Sequence, residues 1–292
     1  MANVSLLWRK PTDAGAYSGG SWRATLPLAN LVTQDPQQLA RSSNTSNAST
    51  QFRIDCGTTS PLIGQFVLLN HNLTPAGRVR FVLSNSPTNA GTPVYDSDWL
   101  PAWEPTVIWG SMPWGTFPWN GIDTTAYPAG AALIHTVPRG LGGGVRAFVA
   151  RYVFVYLDDP TNPAGYLQAG RFMAGWAWSP TVNAAWGATL RWVDPSEVKR
   201  TRGGRRIVTA QPKYRVFEME FAALSEGEAM GTAETISREL GKSGAFFLMM
   251  DPEESATVRF RRSIYAALAD TTPIVTASMD AWTWRLSAEE II

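Results

Sequence analysis

At two places between residues 52 and 85, on either side of a longer apolar run, the apolar positions recur with a period of two. In FRIDCG (52–57), Phe52, Ile54 and Cys56 alternate with Arg53 and Asp55, the pattern of a half-buried strand. LIGQFVLLN (62–70) predicts a longer apolar strand, and RVRFVLSN (78–85) alternates again through Val79, Phe81 and Leu83. HNLTPAG between them is a turn, and RSSNTSNAST (41–50) is a loop too polar to pack. A later strand, RAFVARYVFVYLDD (146–159), stops at Asp158–Asp159–Pro160. Short strands, frequent turns and no amphipathic helix predict a β-sandwich or jelly roll.

The pattern changes further along. YRVFEMEFAAL (214–224) alternates, with Phe217, Met219 and Phe221 on one face and Glu218 and Glu220 on the other. Next, Ser225 precedes Glu228 by three residues, the spacing of a capping box. Ala229, Ala233, Ile236 and Leu240 then form a narrow apolar stripe at helical spacing. Gly241 is a natural stop, so a helix is expected near 226–240 despite Gly227 and Gly231. AFFLMM (245–250) reads as a buried strand before an Asp-Pro turn. TVRFRRSIYAAL (257–268) and SMDAWTWRLSAEE (278–290) read as further strands. The expected fold is mainly β, a sandwich followed by a smaller module with one helix.

Charge places the boundary. The first 195 residues hold 22 charged side chains (12 basic, 10 acidic), and the last 97 hold 27 (13 basic, 14 acidic). The polar stretch DPSEVKRTRGGRR (194–206) between them is linker-like, which predicts domains at 1–195 and 196–292. A net charge of +1 is too neutral for a nucleic-acid binder that relies on phosphate contacts. A lone Cys56 precludes an intrachain disulfide. The N-terminus has Arg9 and Lys10 on the wrong side of its short apolar run for a signal peptide. The longest apolar runs fall far short of the ~20 residues a membrane span needs. A soluble protein made in the cytoplasm is expected.

Candidate chemistry is sparse. His71 and His135 lack metal-ligand spacing with a second His, Cys or close carboxylate; His71 is expected in a turn hydrogen bond and His135 as a satisfied strand residue. GLGGGVRAF (140–148) lacks the Lys-Ser/Thr of a phosphate loop. Asp96, Asp98 and Glu104 do not make a calcium loop and are expected to be solvated, and Asp158–Asp159 to form a turn. No acid/base pair, metal site or cofactor site is expected, hence no enzyme. The dense cationic run supplies Lys199, Arg200, Arg202, Arg205 and Arg206, which fit a subunit interface, a solvated linker or contact with passing DNA.

Tryptophan is the outlier, at 13 residues, and WGSMPWGTFPWNG (109–121) carries three of them five apart. That period suits neither helix nor strand and predicts consecutive turns, with Pro113 and Pro118 at the second position of each. The stretch 96–130 is thus a long aromatic insertion, and long loops inside compact domains are usually functional. Trp99, Trp103, Trp109, Trp114, Phe117 and Trp119 fit three roles: a cap on the sandwich, anchors of a protein interface, or a stacking platform for sugars.

The segments LPLANLVTQDPQQLARS (26–42), FRIDCGTTSPLIGQFVLLNHNLT (52–74) and RVRFVLSN (78–85) together resemble the galactose-binding-like (discoidin-type) β-sandwich found in phage tail proteins. The later order resembles the ring-building module of tail-tube and distal-tail (baseplate) proteins of long-tailed phages. That order is a basic lead, a strand, a capped helix, an apolar strand ending in Asp-Pro, then closing strands with W-x-W-x-L-x-x-E. The resemblance implies a structural virion protein in the tail tip, assembled in the host cytoplasm. It implies a homo-oligomeric ring, a hexamer or a trimer, that contacts tube, hub, tip or fibre proteins and meets DNA only as it passes. The alternatives are a module that binds host-surface carbohydrate and, less well supported, a glycan hydrolase.

Overall fold

The structure, a computed structural model, describes residues 3–105, 107, 109–113, 115–122, 132–138 and 147–292. The fold is mainly β, as the alternation predicts, with 39% strand against 12% helix. The chain divides into two compact units, one of Arg9–Ala177 with Glu254–Arg261, the other of Met1–Trp8, Trp178–Glu253 and Arg262–Ile292. The chain therefore passes between units at 8/9, 177/178, 253/254 and 261/262, rather than once near 195. Strand pairing explains the difference. Ser5–Leu7 joins the second unit's sheet with Leu6 opposite Leu248, and Trp178 bridges Leu6 and sits in the same core. Charge density registers a change of surface, not the partner chosen by a three-residue strand.

In the first unit two antiparallel sheets share one core. The larger runs Ala16–Ser18, Phe52–Asp55, Tyr152–Asp158, Arg78–Ser84, with Tyr95–Asp96 and Leu100–Pro101 both along the last of these. The smaller runs Ala132–Thr136, Gln65–Leu69, Arg171–Gly175. The period-two pattern sends Phe52, Ile54, Phe81 and Val153 from the larger sheet against Phe66, Leu68 and Phe172 from the smaller. Phe66 stacks on Phe81 at 4.7 Å, and Phe172 meets Phe52 edge-on at 5.6 Å. Burying each such side chain contributes about 1.5–3 kcal/mol. Gly170 permits the closest approach here, because a Cβ would lie 1.9 Å from the Pro36 carbonyl oxygen.

The second unit is one seven-stranded sheet with a helix on its apolar face. The order is Ser5–Leu7, Ala245–Met249, Ser263–Leu268, Ala281–Glu290, Tyr214–Leu224, Thr189–Val193, and Ile274–Ser278 also pairs with Ala281–Glu290. The expected helix is present. Ser225 and Glu228 form the capping box, and Gly241 ends the helix at φ 50°. Ala229, Ala233 and Ile236 pack with Phe217, Phe221, Trp284 and Leu286. The middle turn, Ala229–Ala233, is π-helical, which a regular period does not reveal.

Two local expectations fail. The linker-like run is a β-hairpin, Glu197–Arg200 paired with Arg206–Thr209, turning through Thr201–Arg205, where the Thr201 N–H donates to the Arg205 carbonyl. The first half of TVRFRRSIYAAL lies in a helix, Ala256–Arg261, which belongs to the first unit; the strand begins only at Ser263. Ser255 opens that helix by accepting the N–H groups of Val258 and Arg259. Four alternating residues are too few to separate the two periods.

Candidate functional site

The side chains that best suit catalysis are engaged in structure. His71 is buried edge-on against Trp103 at 5.3 Å, and its ring nitrogens have no hydrogen-bond partner among the described residues. The expected turn hydrogen bond is therefore absent, and burial lowers the His71 pKa to about 3. His135 is a strand residue with Nε2 2.7 Å from the Tyr95 hydroxyl, as expected, and burial lowers its pKa to about 4. The carboxylates divide: Asp98 and Glu104 are exposed, as expected, while Asp96 is half-buried, and Asp159 opens a turn in which the Asn162 N–H donates to its carbonyl. Asp96 accepts from Arg80 Nε at 2.8 Å, Glu104 pairs with Arg259, and Asp158 is buried against Arg78. Asp159, also buried, accepts from the Thr74 N–H at 2.7 Å and from Asn162 Nδ2 at 3.0 Å. Asp98 sits at φ 54° in the loop beside Asp96. Among the described residues no group of three or more His, Cys, Asp or Glu side chains is placed to hold a metal. Residues 140–146 of the Gly-rich stretch lie outside the described residues.

The aromatic insertion is built from turns, one residue out of the expected register. The Thr116 N–H donates to the Pro113 carbonyl at 3.1 Å, and the Gly121 N–H to the Pro118 carbonyl at 2.7 Å. Each proline is thus first, not second, in its turn. Gly115 then falls third with φ 92°, where a type II turn requires a positive value. Trp109 meets Phe117 edge-on at 5.0 Å and Trp119 at 6.1 Å. With Met112, Gly110 and Gly115 these rings line a cavity of about 110 Å³. Trp119 is 82% exposed, so it does not cap the core. Trp114 lies outside the described residues. Trp99 and Trp103 are not part of that cavity. Trp99 lies under the Arg78 guanidinium at 5.3 Å, while Trp103 is buried and donates from Nε1 to the Leu73 carbonyl at 2.7 Å.

Lys199, Arg200, Arg202, Arg205 and Arg206 all lie on the exposed hairpin. Val198, Ile207 and Val208 are half exposed beside them, so the arm offers apolar as well as cationic surface. An isolated two-stranded hairpin is marginal in water.

Sequence reasoning missed two strands of the second sheet that are paired along one side: Thr189–Val193, at one end of the strand order, and Ile274–Ser278, which branches from Ala281–Glu290 beside Ser263–Leu268. Thr189–Val193 pairs only with Tyr214–Leu224, and Ile274–Ser278 only with Ala281–Glu290, among the described residues. Four of the five residues in each are exposed. Leu190 lies opposite Phe217 and Trp192 opposite Arg215, on the core side of the sheet, yet they are 44% and 52% exposed. The apolar face thus runs past the core it covers. The alternating apolar residues of TLRWV and IVTAS were the available signal. Among the described residues no helix is long and apolar enough to cross a membrane. No model of a known protein family matches the chain, and no curated protein matches it either.

Proposed function

We propose that the chain is a structural assembly subunit that joins copies of itself into a closed ring, as a distal-tail or baseplate protein of a long-tailed phage would. The observation that carries this reading is the pair of bare sheet edges. Thr189–Val193, Tyr214–Leu224, Ala281–Glu290 and Ile274–Ser278 lie side by side and alternate in direction. Both outer strands leave a row of backbone donors and acceptors available to another chain. Because four strands alternate, the first edge of one copy meets the last edge of the next antiparallel. That contact is head-to-tail, and a head-to-tail contact closes into a ring when its rotation allows. One face of this wall is polar, with Arg285 paired to Glu220 at 3.1 Å and Arg191 to Glu218 at 3.4 Å. A polar wall suits a water-filled lumen through which DNA passes without being held.

In this reading roughly six or three copies close the ring. The cationic hairpin grips a neighbouring subunit, and the galactose-binding-like sandwich carries contacts to tube, hub, tip or fibre proteins. The protein then resides in the virion tail after assembly in the host cytoplasm. It acts without cofactor or catalysis.

One observation favours a second reading. The Trp109, Phe117 and Trp119 cavity offers stacking faces to a sugar ring, so the sandwich would recognise host carbohydrate. Negative-stain imaging of the purified chain separates the two. Closed rings are expected. A monomer that binds a glycan array, and stops doing so in Trp119→Ala, would replace assembly with carbohydrate recognition.

A further inference from the structure

A small sheet in the first unit presents charge that no carboxylate among the described residues neutralises. Trp22 bridges Ser42, the Arg23 N–H donates to the Arg41 carbonyl at 2.9 Å, and the Ser43 N–H to the Ser21 carbonyl at 2.8 Å. Arg41 in turn lies opposite Gln168 in the strand pair Ala40–Arg41 with Gln168–Ala169. Alternation then fixes two faces. Trp22, Ser42, Leu167 and Ala169 turn toward the core. Ser21, Arg23, Arg41, Ser43, Tyr166 and Gln168 share the outward one.

That outward face is rich in donors, some of them already engaged with one another. The Ser21 and Ser43 hydroxyls lie 3.0 Å apart. Gln168 Oε1 accepts from Arg41 Nε at 3.2 Å and Nη2 at 2.9 Å, which fixes the guanidinium. Both guanidinium groups pack on the Tyr166 ring, Arg41 at 4.1 Å and Arg23 at 5.4 Å from its centroid. Elsewhere in this unit Arg78, Arg80, Arg151 and Arg171 each hold an aspartate. Arg23 and Arg41 form no ion pair among the described residues. Like charges directly opposite on neighbouring strands destabilise a sheet. A row of two such charges, one fixed by Gln168 and both beside serine hydroxyls, is matched by a multi-oxygen anion that accepts from several N–H and O–H groups at once.

We propose that Arg23 and Arg41, with the Ser21 and Ser43 hydroxyls, bind an oxyanion of the phosphate or sulfate type. The inference does not depend on ring assembly. Isothermal titration of the full chain at low ionic strength tests it with three probes: inorganic phosphate, methyl phosphate and dimethyl phosphate. Saturable binding of inorganic phosphate is expected, weakened at least tenfold in Arg41→Gln and in Arg23→Gln. Retention of methyl or dimethyl phosphate marks an ester-borne group as ligand, and loss of both marks the free ion. Arg23 is exposed, so Arg23→Gln should keep the fold, and without phosphate it should melt no lower than wild type because a repulsion is removed. Absence of saturable binding to the wild type, or equal binding by folded Arg23→Gln, would overturn the proposal.

Discussion

At the scale of single residues, His71 and His135 show how burial decides the role of a titratable group. Their rings sit in apolar surroundings, and burial holds their pKa values at about 3 and about 4. An unfolded histidine takes up its proton near pH 6.5. Between that pH and the folded values the unfolded chain binds more protons, so stability is fully present above pH 6.5 and falls as the pH drops toward 4 and 3. Each ring should cost about 2 kcal/mol at pH 5 relative to pH 7.5. His71→Phe should recover about half of the combined loss, read from urea midpoints at the two pH values. An unchanged loss would mean that His71 is protonated in the folded protein. The sequence places His135 correctly because the apolar run AALIHTVP around it reads as a strand. His71 follows a strand in what reads as a turn, and only the tertiary placement of Trp103 over it shows that it is buried. Trp99 and Trp103 are four residues apart and equally aromatic, yet one is half exposed and the other is core.

At the scale of elements, legibility follows how local the stabilising interactions are. The helix near 226–240 was readable because its start, stripe and stop all lie within its own residues. Its cap carries a direct prediction. Ser225→Ala removes the bond from the Glu228 N–H and should destabilise the unit by about 1 kcal/mol, with Ser225→Asp restoring most of it. Thermal melts of the three proteins check this, and identical melting would show that the cap contributes nothing. The Glu197–Thr209 hairpin was not readable, because its strands are rich in charge, pair only with each other among the described residues and turn through a Gly-Gly flanked by arginines. The helix Ala256–Arg261 was missed for the opposite reason: its short alternation imitates a strand. In the tryptophan row the turns were foreseen, but their register depends on which glycine takes positive φ.

At the scale of the whole molecule, the mainly β class follows from alternation, since Phe52, Ile54, Val79, Phe81 and Leu83 fall on the core face the pattern assigns. The division into units does not follow, because it depends on Ser5–Leu7 pairing with residues more than two hundred positions away. The bare edges were equally hidden, since being an edge is a property of the completed sheet. They carry the assembly claim, which has a specific consequence. If the contact is head-to-tail, damage to either edge stops ring closure, but the two damaged chains still possess one intact edge each.

The most direct test is therefore sedimentation velocity on wild type, Trp192→Lys, Val275→Lys and an equal mixture of the two variants. Wild type should sediment as a closed ring and each variant alone as a species that cannot close. The mixture should form a dimer through its two undamaged edges. Wild-type chain that stays monomeric, or variants that assemble as wild type does, would contradict assembly through these edges.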